Sequence, residues 1–104
     1  MSGKFFGVAS EAFHAACANG LNAACAYIVL ACGTGKDSRS TIWSCDAISR
    51  RTSISRRRAK AARDALLESK LVSQTNKSIK HPHYRMEFEE DDEKIWLPNT
   101  FVTG

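Results

Sequence analysis

No two of the four cysteines, Cys17, Cys25, Cys32 and Cys45, stand in a C-x-x-C pair. A zinc site built from cysteine with His81 or His83 fits no ligand spacing, so no metal is expected. No signal-peptide pattern precedes the cysteines, and the expected state is buried reduced thiols in a cytosolic protein. Cys25 and Cys32 lie seven apart in an apolar helical stretch and are expected to face the core. No apolar run reaches the roughly 20 residues of a membrane span. The chain has no Ser-His-Asp arrangement in a catalytic context, no carboxylate pair in an apolar setting and no complete nucleotide fingerprint. Gly33-Thr34-Gly35-Lys36 follows a helix pattern rather than a strand and lacks the full spacing of a phosphate loop. The carboxylates between Glu87 and Glu93 run consecutively, without the alternation of a calcium loop. These absences point away from an enzyme and from any cofactor.

The 104 residues make one domain with a modest core. Hydrophobic content of 43% and charged content of 25% are ordinary for a globular chain. The formal charge of +4 is unevenly spread. Residues 46–70 hold eight Lys or Arg against Asp46, Asp64 and Glu68, whereas residues 87–93 hold six carboxylates. A basic middle this concentrated suggests a polyanionic partner.

The stretch Ser44 to Val72 carries the strongest pattern. Two helical segments flank Thr52-Ser53-Ile54-Ser55. The second begins at Ser55, a good N-cap, and places Arg56, Arg57, Arg58, Lys60 and Arg63 in its first turns. On a helical wheel Ala59, Ala62 and Leu66 share one face; Arg57, Lys60, Ala61, Asp64 and Glu68 lie opposite. Small inner residues allow a close neighbour helix. Three arginines at a helix N-terminus oppose the helix dipole by a few tenths of a kcal/mol. A phosphate beside that end reverses the sign, because amides and guanidinium groups then share one anion. This is the sequence form of a helix-turn-helix whose second helix enters a DNA groove. The competing reading is a solvated basic face on an ordinary surface helix.

The segment SISRRRAKAARDALLESKLV resembles the recognition-helix region of bacterial winged helix-turn-helix regulators of the GntR type. Ile54, Ser55, Arg56, Ala59, Lys60, Ala62, Leu66, Leu71 and Val72 fall on matching positions, and Ile48-Ser49 match the preceding helix. Most of the chain is also similar to N-terminal helix-turn-helix domains of proteins from phages, plasmids and genomic islands. The resemblance implies that relatives continue further, so this chain is expected to be the N-terminal part of a longer protein. Three positions depart from the pattern. Ser53 replaces a turn glycine and is expected to adopt a left-handed backbone, at a cost of about 1 kcal/mol. Lys70 replaces the glycine before Leu71-Val72. Arg63 replaces an inner leucine and is expected to add a phosphate contact.

The expected fold is α+β and mainly α: a winged helix-turn-helix of three to four helices with a small antiparallel hairpin. Residues 1–20 form an N-terminal extension, with an edge strand at Phe5 to Val8 and a helix from Glu11 to about Ala18. Ser10 caps that helix and Asn19-Gly20 ends it. Residues 21–72 form the helical core. Within it Asn22 to Cys32 is the buried central helix, Tyr27 and Trp43 are core residues, and Ser40 to Trp43 is a strand. Ser44 caps the first helix of the pair, with Asp46 well placed for the dipole. Residues 73–104 form the wing and tail. Val72 to Thr75 is a candidate strand and Asn76 to Pro82 a basic loop. His83 to Glu89 and Glu93 to Leu97 are read as a hairpin around Glu90-Asp91-Asp92, in the place of a wing.

An acidic tip is the wrong chemistry for a minor-groove wing. Either the hairpin turns from DNA, or its carboxylates are a solvated tip, or Glu89–Glu93 binds a basic protein surface. Lys77, Lys80 and Arg85 would then make the phosphate contacts. The expected function is sequence-specific binding of double-stranded DNA as a transcriptional regulator, with Ser44, Ser55, Arg56, Arg57, Arg58, Lys60, Ala61, Arg63, Lys77, Lys80 and Arg85 at the interface. The alternatives are a plasmid or phage replication initiator domain, and a winged helix used for protein–protein contact. One helix-turn-helix reads one half-site, so a homodimer is expected, pairing through the first helix and Phe101-Val102.

Overall fold

The computed structural model describes residues 5–34 and 39–98. In chain order these hold β1 (Phe5–Ala9), α1 (Ser10–Ala18), α2 (Leu21–Cys32), β2 (Ser40–Thr41), α3 (Cys45–Arg51), α4 (Arg56–Glu68), β3 (Val72–Gln74), β4 (Tyr84–Met86) and β5 (Lys94–Pro98). The result is an α+β domain with four helices and two small antiparallel sheets among the described residues.

The apolar sequence of α2 decides the architecture. With Ala23, Ala24, Ala26, Tyr27, Val29, Leu30 and Ala31 all buried, it is covered on several sides, and α1, α3, α4 and β1 pack around it. Its small residues let the helices approach, and Ala59, Ala62 and Leu66 supply the matching face of α4. Burial pushes the Tyr27 hydroxyl well above its ordinary pKa and keeps it neutral. Gly20, at φ 107°, provides the left-handed step between α1 and α2. Gly33 ends α2 under Trp43: a Cβ there would lie 2.3 Å from the indole Cδ2. Trp43 is half-buried against the core, and the Arg51 guanidinium stands over its ring, 4.1 Å from the centroid.

Ser55 caps α4 as its sequence implies: the Arg58 amide donates to its hydroxyl at 3.3 Å. Ser10 and Ser44 do not cap with their side chains. At α1 the role passes to Asp92. The Glu11 and Ala12 amides donate to its two carboxylate oxygens at 3.0 and 3.1 Å.

That contact overturns the expected hairpin around the carboxylates. β4 pairs with β2 and β3, in the order β2-β4-β3, while β5 leaves to pair with β1 from Phe5↔Pro98 to Ala9↔Lys94. The acidic run is therefore a corner between two sheets. Asp92 is nearly buried in that corner, only 9% exposed, and the Ser10 amide donates to the Glu93 carbonyl at 2.8 Å. Leu97 lies opposite buried Phe6, and Ile95 opposite buried Val8. Phe6 and Val8 thus offer β5 an apolar partner that β4, already flanked on both edges, does not. The hairpin that does form joins β3 to β4 through residues 75–83, in the register Val72↔Met86 to Gln74↔Tyr84.

The expected left-handed residue is also displaced. Among the described non-glycine residues only Lys70 has positive φ, at 63°, and Ser53 does not. The turn between α3 and α4 is held instead by Thr52, whose hydroxyl donates to the Ile48 carbonyl at 2.7 Å and accepts from the Ile54 amide at 3.1 Å. The strand expected over residues 40–43 is confined to Ser40–Thr41. All four cysteines are free, but only Cys45 is buried; Cys25 and Cys32 are half-buried and Cys17 is exposed. Phe101 and Val102 lie outside the described residues.

Candidate nucleic-acid interface

The N-terminal half of α4 carries its cations on two adjoining faces. Arg57, Arg58, Lys60 and Ala61 are exposed, and none of the three cations has an ion-pair partner among the described residues. One turn round the helix, Arg56, Lys60 and Arg63 line a cleft of about 540 Å³. The opposite wall is the β3–β4 loop with Ser78, Ile79 and Lys80, and the end wall includes Ser44 and Cys45 at the start of α3. A second depression shares Ser44, Arg56 and Lys80 and adds His81 and His83. The structure thus brings together Ser44, Arg56, Lys60, Arg63 and Lys80 from three elements. Lys77 is exposed in the same loop.

Two of the expected phosphate-binding residues are otherwise engaged. Arg63 has a side chain only 21% exposed and donates to Asp64 at 2.7 Å and to the Tyr84 hydroxyl at 3.4 Å. Burial works against its charge, but the Asp64 carboxylate and the Tyr84 hydroxyl outweigh it and hold the guanidinium more firmly protonated than usual. Arg63 ties α4 to β4 across the floor of the cleft. Its inward position explains how it replaces an apolar residue: the stem packs and the head finds two partners. Arg85 lies on the other face of the central strand, between Ser40 and Ser73, where Glu87 neutralises it. Ser73 donates to the same carboxylate at 2.5 Å.

Asp46 holds the remaining arginine of the cleft. Its carboxylate accepts from Arg50 at 2.9 Å and from Arg56 at 3.3 Å. The Arg56 pair is exposed and therefore weak, so a phosphate oxygen can exchange for Asp46 at little cost. Ser44 has no cap bond, leaving its hydroxyl available at the mouth. Cys45 is kept protonated by burial, which raises its thiol pKa and leaves it unreactive.

No protein-family model, no curated protein and no solved structure matches this chain.

The chemistry of the cleft follows from its walls. Guanidinium, ammonium and hydroxyl donors converge, and the one carboxylate on the floor, Asp64, is already taken by Arg63. The surface offers donors and positive charge to an anion with several oxygens along its length. The residues missed by sequence reasoning are Asp46 as a tether and Ser78, Ile79, His81 and His83 as parts of the loop wall. The period-2 alternation through HYRMEFE drew the hairpin towards the acidic turn. The lone apolar residue in the polar run TNKSIKH, Ile79, is the signal that residues 75–83 do more than link two strands.

Proposed function

We propose that this chain binds double-stranded DNA as a winged helix-turn-helix module, with α4 in the major groove and the β3–β4 loop as the wing. The observation that carries the reading is the convergence of Arg56 and Lys60 of α4 with Lys80 of that loop on one cleft. The order α2-β2-α3-α4-β3-β4, with the three strands as one sheet, supports it. So does the chemistry of the loop between β3 and β4, which is basic, whereas the acidic corner sits beside α1. Arg57 and Lys60 reach base edges, while Ser44, Ser55, Arg56, Arg58, Lys77 and Lys80 hold phosphates. The wider role is that of a transcriptional regulator.

The test is selection of bound duplexes from a random pool, followed by shift assays across a salt series. A defined half-site and a log–log salt slope of roughly −3 to −4, the value for the four phosphates that Arg56, Arg58, Lys77 and Lys80 would neutralise, support the reading. Absence of any shift at low salt overturns it. Selected sites that map to origins rather than promoters would make the module part of a replication initiator.

A further inference from the structure

We propose that Ile79 is an apolar wedge that enters the minor groove and opens a base step; this rests on the DNA-binding reading above. Single exposed apolar residues are common on protein surfaces and ordinarily mean nothing. This one is set apart by its exposure, its neighbours and its support. Ile79 is 96% exposed, more than any other large apolar side chain among the described residues. It stands beside Lys80 and two residues after Lys77, at the lip of the cleft facing Arg56 and Lys60.

The loop that carries it is cross-braced. The Gln74 side chain donates to the Ser78 carbonyl at 3.1 Å, and the His81 amide donates to the Ser78 hydroxyl at 2.9 Å. Asn76 donates to the His81 carbonyl at 3.0 Å and accepts from the His83 amide at 2.9 Å. Bonds on both sides of the apex brace the backbone from which the side chain projects before anything binds, which reduces the ordering cost of an insertion.

Isoleucine neither donates to a phosphate nor reads a base edge by hydrogen bonding. On a surface built for a polyanion, the apolar volume open to it is the interior of the base stack. Flanking lysines neutralise the phosphates on either side, so the backbone can be approached closely while the step is partly unstacked. Pyrimidine–purine steps such as TA open most easily and are the expected position of the wedge.

The experiment uses the full chain on a selected duplex with dyes at both ends and 2-aminopurine beside the TA step nearest the wing. Wild-type binding is expected to raise the 2-aminopurine fluorescence and shorten the end-to-end distance, as a bend of about 20–90° would. Ile79→Ser, at an exposed position, should fold with an unchanged Tm and still bind. Its affinity should fall by about tenfold, the lost apolar burial being partly offset by unstacking that no longer occurs. The fluorescence rise and most of the bend should disappear, and Ile79→Leu should restore both. Unchanged unstacking by Ile79→Ser, or wild-type binding with no unstacking, overturns the wedge and leaves DNA binding intact. Failure of the wild-type protein to bind any duplex overturns the DNA reading as well.

Discussion

Lys70 spends its backbone in the left-handed region to close α4. The Lys70 amide donates to the Leu67 carbonyl at 3.1 Å and the Leu71 amide to the Leu66 carbonyl at 3.1 Å, the paired bonds of a Schellman motif. A lysine there costs about 1–2 kcal/mol, and a glycine returns that less the roughly 0.5–1 kcal/mol of extra unfolded-state entropy. Lys70→Gly is therefore expected to raise stability by about 0.5–1 kcal/mol, or Tm by about 2–6 °C, in a thermal melt. The corresponding change Ser53→Gly should give nothing or a loss, since Ser53 does not have positive φ. On α4 the two neighbouring arginines divide. Arg57 points from the packed face with no ion pair among the described residues, and Arg57→Ala should cost about 1–3 kcal/mol at one base position of the selected site. Arg56→Ala should weaken all duplexes alike and reduce the salt slope by about one unit. Equal, sequence-independent losses for both variants would assign Arg57 to phosphate as well. At this scale the sequence was readable where a residue's role is local. The Ser55 cap and the Ala59-Ala62-Leu66 face depend only on spacing along one helix, and both are present. Arg63 was not readable, because its partners include Tyr84, twenty-one positions away, on a strand whose facing could not be known.

The elements show where such reading stops. Both strands flanking the carboxylate run were identified, and so was the central helix, yet the pairing of the strands was not. Alternation gives a strand's faces, but its partner is decided by which edge is free and by what the intervening chain must contact. Here Asp92 decides it by capping α1 across eighty positions, a long-range contact with no local pattern. An anion at a helix N-terminus is favourable in itself, and here it also satisfies two amides in a nearly dry corner. Asp92→Ala leaves both without an acceptor and is expected to destabilise the chain by about 2 kcal/mol, more than Asp92→Asn, which keeps one oxygen in place. Urea titration of both variants checks the order; equal stabilities would mean that water replaces the carboxylate. The same logic applies at Thr52, whose hydroxyl bridges α3 and the turn. Thr52→Val should cost about 1–2 kcal/mol and loosen the angle between α3 and α4, weakening DNA binding more than the stability loss alone requires.

Across the whole molecule the charges separate along α4. Its N-terminal half carries the unpaired cations, while its C-terminal end abuts the acidic segment, where the Glu87 amide donates to the Leu71 carbonyl at 2.9 Å and Lys70, Glu89 and Asp92 line one depression. A thirteen-residue helix is about 20 Å long, so the two ends are separated by more than two screening lengths at physiological salt, about 8 Å each, but by less than one at 10 mM salt, about 30 Å. The acidic end should therefore leave bound affinity alone at physiological salt and oppose the approach of DNA only when screening is weak. Of its carboxylates, Glu89, Glu90, Asp91 and Glu93 are exposed; Asp92 must be spared because it is the α1 cap, and Glu93 because it is paired through its backbone to Ser10. Replacing Glu89, Glu90 and Asp91 by Ser removes the Arg39–Glu90 pair, but Arg39 still donates to the Met86 and Phe88 carbonyls at 3.1 and 2.9 Å, so the corner should hold. The triple variant is expected to bind random duplex DNA several-fold more tightly than the wild type near 10 mM salt and indistinguishably near 150 mM salt, in shift assays at both. A gain that persists at 150 mM would bring the acidic corner much closer to DNA than the proposed seating of α4 in the major groove allows. A loss of binding at either salt, with the melt unchanged, would mean that these carboxylates organise the interface, and the orientation proposed for α4 and the wing would then be wrong.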